Sequence, residues 1–117
     1  MRAMPQLPTP PDMPGEVKAI IDAIGHSMRT EILHQLADRP QSAGELAEST
    51  GTVVSQIRKH LAILEDLELV SADRLPEDRG PGRGRAVLWS TNLQRAEEAG
   101  RTWIDYVTGR HSPGSPG

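Results

Sequence analysis

Residues 42–70, SAGELAESTGTVVSQIRKHLAILEDLELV, decide how the rest of the chain reads. Ser42 is placed to cap a helix, and Glu45, three residues on, can return a bond to the cap, the reciprocal capping box. That helix should end near Thr50, because Gly51 supplies the positive φ that a steep turn between two helices requires. Thr52 is positioned to cap the helix that follows. In this second helix Val54, Ile57, Leu61 and Leu64 recur at three- and four-residue spacing, which makes one apolar stripe that must be buried. Thr52, Ser55, Gln56 and Lys59 fall roughly opposite that stripe, with Arg58 on the flank. Hydroxyl, amide and cationic groups near a helix N-terminus can bond base edges and phosphate oxygens in a DNA major groove. The same composition also suits a plain solvated face, so this helix alone leaves both readings open.

The segments after it narrow the choice. Leu69-Val70 opens an extended segment, and Ala86-Val87-Leu88-Trp89-Ser90 is a second one rich in strand formers. Between them EDRGPGRGR, residues 77–85, is too rich in Gly and Pro for regular structure. Two helices, a hairpin and flanking helices predict a mainly α chain with a small β-hairpin. The expected order is α-α-α-α-β-β-α, a winged helix-turn-helix. The wing at 73–86 carries Arg79, Arg83 and Arg85 among glycines, where no fixed register can be held, so contacts to phosphates or groove shape are expected of them. Arg83-Gly84-Arg85 is also similar to the arginine hooks that enter narrow minor grooves.

ELAESTG at 45–51, KHLAILEDLELV at 59–70 and GRGRAVLWST at 82–91 resemble the corresponding segments of the ArsR-like (ArsR/SmtB) bacterial regulators. Upstream, AIGHSMRTEILHQL at 23–36 looks like that family's second helix, with Arg29 near its start. The resemblance spans roughly Ala23 to Val107. It departs at Val54, where the family often has Gln, in a long wing tip, and in the missing cysteine metal-binding motif. The resemblance implies a cytoplasmic, non-enzymatic transcriptional regulator, a repressor that binds a palindromic double-stranded DNA operator as a homodimer. The helix at 52–67 and the wing at 73–86 would make the contacts, through Thr52, Ser55, Gln56, Arg58, Lys59, Arg79, Arg83 and Arg85. The first and last helices would form the dimer interface, with Val17, Ile20, Ile21 and Ile24 from one and Leu93, Ala96, Gly100, Trp103 and Val107 from the other. The alternative from another class is a winged-helix adaptor that binds a protein through its hairpin or proline-rich arm, without specific DNA binding.

Around this centre the chain divides into an arm at 1–15, a domain at 16–108 and a tail at 109–117. The arm holds Pro5, Pro8, Pro10, Pro11 and Pro14, too many for a helix, and is expected to be disordered. Residues 16–24 predict a short amphipathic helix, interrupted by Gly25. Ser27 is a plausible cap for the next helix, which Pro40 follows. Thr91 repeats the capping-box spacing at the start of the last helix.

With 117 residues, 3% aromatics and no Phe, the chain can build one modest core from Leu, Ile, Val and Ala. It has no cysteine, which removes disulfides, thiolate metal sites and a Cys nucleophile together. No apolar run approaches the ~18 residues that span a membrane. A net charge of −3 would oppose DNA binding if evenly spread, but no acid falls between Asp78 and Glu97, while Arg79, Arg83, Arg85 and Arg95 do. Neither a cofactor nor a metal is expected: His34 and Asp38 share a helix face, but a lone pair at that spacing is usually solvated. Any small-molecule inducer is left open. GPGRGR lacks the strand-to-helix setting and the Lys of a phosphate loop.

Overall fold

The computed structural model describes residues 13–82 and 84–110. Five helices, α1 (Gly15–Ile24), α2 (Ser27–Asp38), α3 (Ala43–Thr50), α4 (Val54–Asp66) and α5 (Leu93–Val107), accompany strands β1 (Val70–Ala72) and β2 (Trp89–Thr91). A single 3₁₀ turn at Pro76–Asp78 sits in the wing. The order is the winged helix-turn-helix expected from the sequence. Most of the arm at 1–15 and of the tail at 109–117 lies outside the described residues, as does Arg83.

The apolar stripes meet in one core. Ile57, Leu61 and Leu64 of α4 are each at most 1% exposed and pack with Ile20, Ile32, Leu46 and Leu69. Each such side chain contributes about 1.5–3 kcal/mol by leaving water. The capping box at Ser42 is formed in both directions: Ser42 Oγ accepts the Glu45 N–H at 3.1 Å, and Glu45 Oε1 accepts the Ser42 N–H at 2.9 Å. Gly51 takes φ 71° and ψ 20°, the left-handed turn that aims α4 away from α3. At Gly25 the constraint is space, since a Cβ there would lie 2.6 Å from the Ile21 carbonyl oxygen.

Three cap positions differ from expectation. The N-cap of α4 is Val53, with no side-chain cap, because Thr52 still belongs to the turn and its N–H donates to the Ala47 carbonyl at 3.1 Å. Asn92 rather than Thr91 caps α5, accepting the Arg95 N–H at 3.2 Å, while the Thr91 hydroxyl donates to the Leu33 carbonyl at 2.7 Å. Ser27 is the first residue inside α2, whose N-cap is His26.

The hairpin is antiparallel, with Val70 opposite Thr91, Ser71 opposite Ser90 and Ala72 opposite Trp89. Its second strand starts at Trp89 rather than Ala86. One residue past the Ala72 pair, the Leu88 N–H is drawn onto the Asp73 carboxylate at 3.0 Å, and Arg74 donates to the Ala86 carbonyl at 2.8 Å. The Asp73 N–H still donates to the Leu88 carbonyl at 2.9 Å, so the ladder ends there on one backbone bond and one side-chain bond. Trp89 also bridges back to Gln41, whose N–H donates to the Trp89 carbonyl at 3.1 Å. After α4 the chain turns at Glu68 with φ 61°, an uncommon conformation for a residue with a Cβ.

Candidate nucleic-acid interface

The buried stripe of α4 fixes which residues it presents outward. Ser55, Gln56, Arg58 and Lys59 are all exposed on one side of its first two turns, and Thr52 is half-buried beside them. Among the described residues these four side chains have no hydrogen-bond or ion-pair partner. From Val54 to Leu64 the helix carries no carboxylate, so Arg58 and Lys59 are not neutralised by their own element. A rigid helix with unpartnered polar groups on an acid-free stretch can hold side chains in register against base edges.

The wing divides its arginines. Arg85 is exposed and reaches back to the Asp73 carboxylate at 2.5 Å. That bond, with the Leu88 N–H, holds the Asp73 carboxyl below its ordinary range. Arg79, expected from the sequence to contact DNA, faces inward. Its guanidinium donates to both oxygens of Glu65 at 3.2 and 2.8 Å and to the Arg74 carbonyl, and it lies 5.0 Å from the centre of the Trp89 ring. The Glu65 bonds raise its pKa further above the usual arginine value. Arg79 thus ties the wing root to the C-terminal half of α4 through a forked carboxylate pair and a cation–π contact. Between the wing, α3 and α4 opens a cleft of about 650 Å³, lined by Ser42, Gly44, Arg58, Arg85 and Trp89 among others.

His60 links α4 to α2. Arg29 Nε donates to His60 Nδ1 at 3.2 Å and Arg29 Nη1 to the Asp22 carbonyl at 2.7 Å, while the His26 ring lies 4.8 Å away. A ring nitrogen that accepts from a guanidinium must be unprotonated. Burial first, then the His26 and Arg29 charges, push the His60 pKa below its ordinary 6.5. Because the folded pKa is depressed, the unfolded chain takes up a proton that folded His60 refuses. This contribution to stability is therefore fully present above 6.5 and is lost as pH falls from there through the lowered folded value. Urea midpoints should drop between about pH 7 and pH 5, and His60→Gln should flatten that drop.

α5 has two faces. Ala99, 2% exposed, packs inward, and α1 lies against this helix. Next to that face Leu93, Trp103, Ile104 and Val107 remain 60, 40, 38 and 54% exposed, with Ala96 and Gly100 in the same sector. On α1, Val17 and Ile20 are at most 1% exposed, so the expectation that they face a second protomer is not met. They are the core of their own chain. Ile24 packs partly on that core, and Ile21 is half-buried. Sequence reasoning missed Ala99, Glu65 and Asp73. Ala99 stands one place before Gly100 of the recognised stripe, so the inward face was there to be seen in the periodicity.

His34 and Asp38 are both exposed, and among the described residues no group of three or more His, Cys, Asp or Glu side chains could hold a metal. No helix of the described residues is long and apolar enough to cross a membrane.

Residues 26–72, from the cap of α2 to the end of β1, match the sequence model of the family described as "Bacterial regulatory protein, arsR family". No curated protein matches the chain. Among solved structures the fold is similar to an ArsR-like transcriptional regulator from Rhodococcus sp. RHA1, with 24% identity, 80% of this chain and 81% of that one covered, and a TM-score of 0.63. It is also similar to a homodimeric winged helix-turn-helix DNA-binding domain of a possible ArsR-family regulator from Mycobacterium bovis, at 19% identity, 87% and 86% coverage and a TM-score of 0.59. NolR from Sinorhizobium fredii aligns at 21% identity over 82% of this chain and 87% of its own, with a TM-score of 0.57. The helix-turn-helix and β1 thus match the arsR family model, and the hairpin and α5 continue them into the winged helix-turn-helix fold of these solved structures.

Proposed function

We propose that the chain is a sequence-specific regulator of transcription, a repressor, that binds a palindromic double-stranded DNA operator as a homodimer. The observation that carries this reading is the α4 surface, where Ser55, Gln56, Arg58 and Lys59 are exposed and unpartnered on an acid-free stretch of helix. α4 would lie in the major groove, with Arg83 and Arg85 of the wing on phosphates or the adjacent groove. Arg79 is no longer a DNA-contacting residue in this reading and acts by seating the wing. The exposed sector Leu93, Ala96, Gly100, Trp103 and Val107, with Ile104, would join two protomers, so that two identical readers meet two half-sites. The Mycobacterium bovis relative, a homodimer with the same fold, supports that assembly. Selecting fragments of genomic DNA with the purified protein tests the reading. It should enrich a palindromic consensus bound by two protomers, whereas no enrichment would contradict it.

DNA binding is expected to be indifferent to divalent metal, because the chain has no cysteine and the described residues hold no ligand cluster. Zinc, nickel or copper at micromolar levels should leave operator affinity unchanged within about twofold, far from the tenfold that 1.4 kcal/mol of coupling would give. A large shift reversed by a chelator would reveal a metal-sensing role.

A further inference from the structure

Val53 holds the N-cap of α4, where local stability asks for something else. Ser, Thr, Asp or Asn there would accept a free backbone N–H, and valine is among the poorest residues for the position. α4 accordingly has no side-chain cap, and Val53 is 64% exposed. A single exposed apolar side chain is ordinary on a protein surface. What sets Val53 apart is that one residue leaves an apolar side chain exposed and a helix end uncapped, beside Ser55 and Gln56. Leu93, Trp103, Ile104 and Val107 belong to the α5 sector. Leu75, 62% exposed before the 3₁₀ turn and also without a side-chain cap, stands in the wing, and Ile63 is 37% exposed near the other end of α4.

We infer that Val53 reads a thymine methyl group in each half-site, an inference that rests on α4 being a major-groove reader. In that groove thymine is the one base that offers an apolar group, its C5-methyl, while the other positions present donors and acceptors. Residues at the N-terminal end of a recognition helix are the ones that approach base edges. The β-branched side chain of Val53 is stiff about χ1, so its methyls hold one position with little entropy to lose. Contact with a methyl would remove both apolar groups from water, and a serine cap could not do this.

The test uses a duplex selected by the wild-type protein from a random pool. Its thymines are replaced one at a time by deoxyuridine, which pairs identically and lacks only the methyl. One symmetry-related position should stand out, with binding weakened about fourfold per half-site, the value of one buried methyl. Val53→Ser should bind the thymine and uridine forms equally, and its melting temperature should rise because serine caps the helix. If no position stands out, or Val53→Ser keeps the preference, the inference is overturned while selective binding still upholds the α4 reading. A lower melting temperature in Val53→Ser would make the residue structural and also count against it. Failure to select any duplex would overturn both.

Discussion

Trp103→Glu should convert a dimer into folded monomers. The residue is 40% exposed at the centre of the α5 sector, flanked along the helix by Gly100 and Val107. A buried aromatic in such a seam contributes about 2–4 kcal/mol, and two-fold symmetry counts it twice. Introducing a carboxylate would therefore weaken the dimer by about a thousandfold or more. Ala99→Glu is the contrasting variant: Ala99 is 2% exposed inside the protomer, so a charge there should unfold the chain. Sedimentation with circular dichroism separates the outcomes. If Trp103→Glu sediments as a folded dimer, the interface lies elsewhere.

Gln56→Ala should cost about 1–3 kcal/mol per half-site on the operator and little on random DNA, because a bidentate amide on a rigid helix discriminates one base. The wing should behave differently. Arg85 is exposed and joined to Asp73, in a tip whose glycines Gly80, Gly82 and Gly84 all have positive φ. Replacing Arg83 and Arg85 together by Ala should weaken operator and random DNA alike. The salt slope should fall by about one for each phosphate that is no longer neutralised. Should that double variant keep its random-DNA affinity and lose the operator, the wing reads sequence and the two roles are reversed.

The helix-turn-helix was legible because its determinants are local. Ser42 and Glu45 lie within one turn, Gly51 must take positive φ, and Ile57, Leu61 and Leu64 repeat at the helical period. The same periodicity identifies the outward set Ser55, Gln56 and Lys59 by elimination. What sequence could not supply was partnership across the fold. Arg79 looks like a wing arginine until Glu65, fourteen positions earlier, and Trp89 are brought to it by the hairpin. Asp73 likewise shortens the second strand through Arg85 and Leu88, which are adjacent only once the wing has closed. On α1 the stripe was seen but its partner was not. Val17 and Ile20 are consumed by their own core, so of α1 and α5 it is α5 that keeps exposed large apolar residues. Periodicity shows that a face must be buried, and leaves open against what.

The most direct test of the central claim is a salt titration of the wild-type protein on its selected duplex and on a scrambled duplex of the same length and composition. Both affinities should fall steeply with salt, by about 0.9 logarithmic units per tenfold salt for each phosphate neutralised. The selected duplex should stay tighter by a factor of about 10³ or more throughout. Equal affinity for the two duplexes, or retention that ignores salt, would contradict the account.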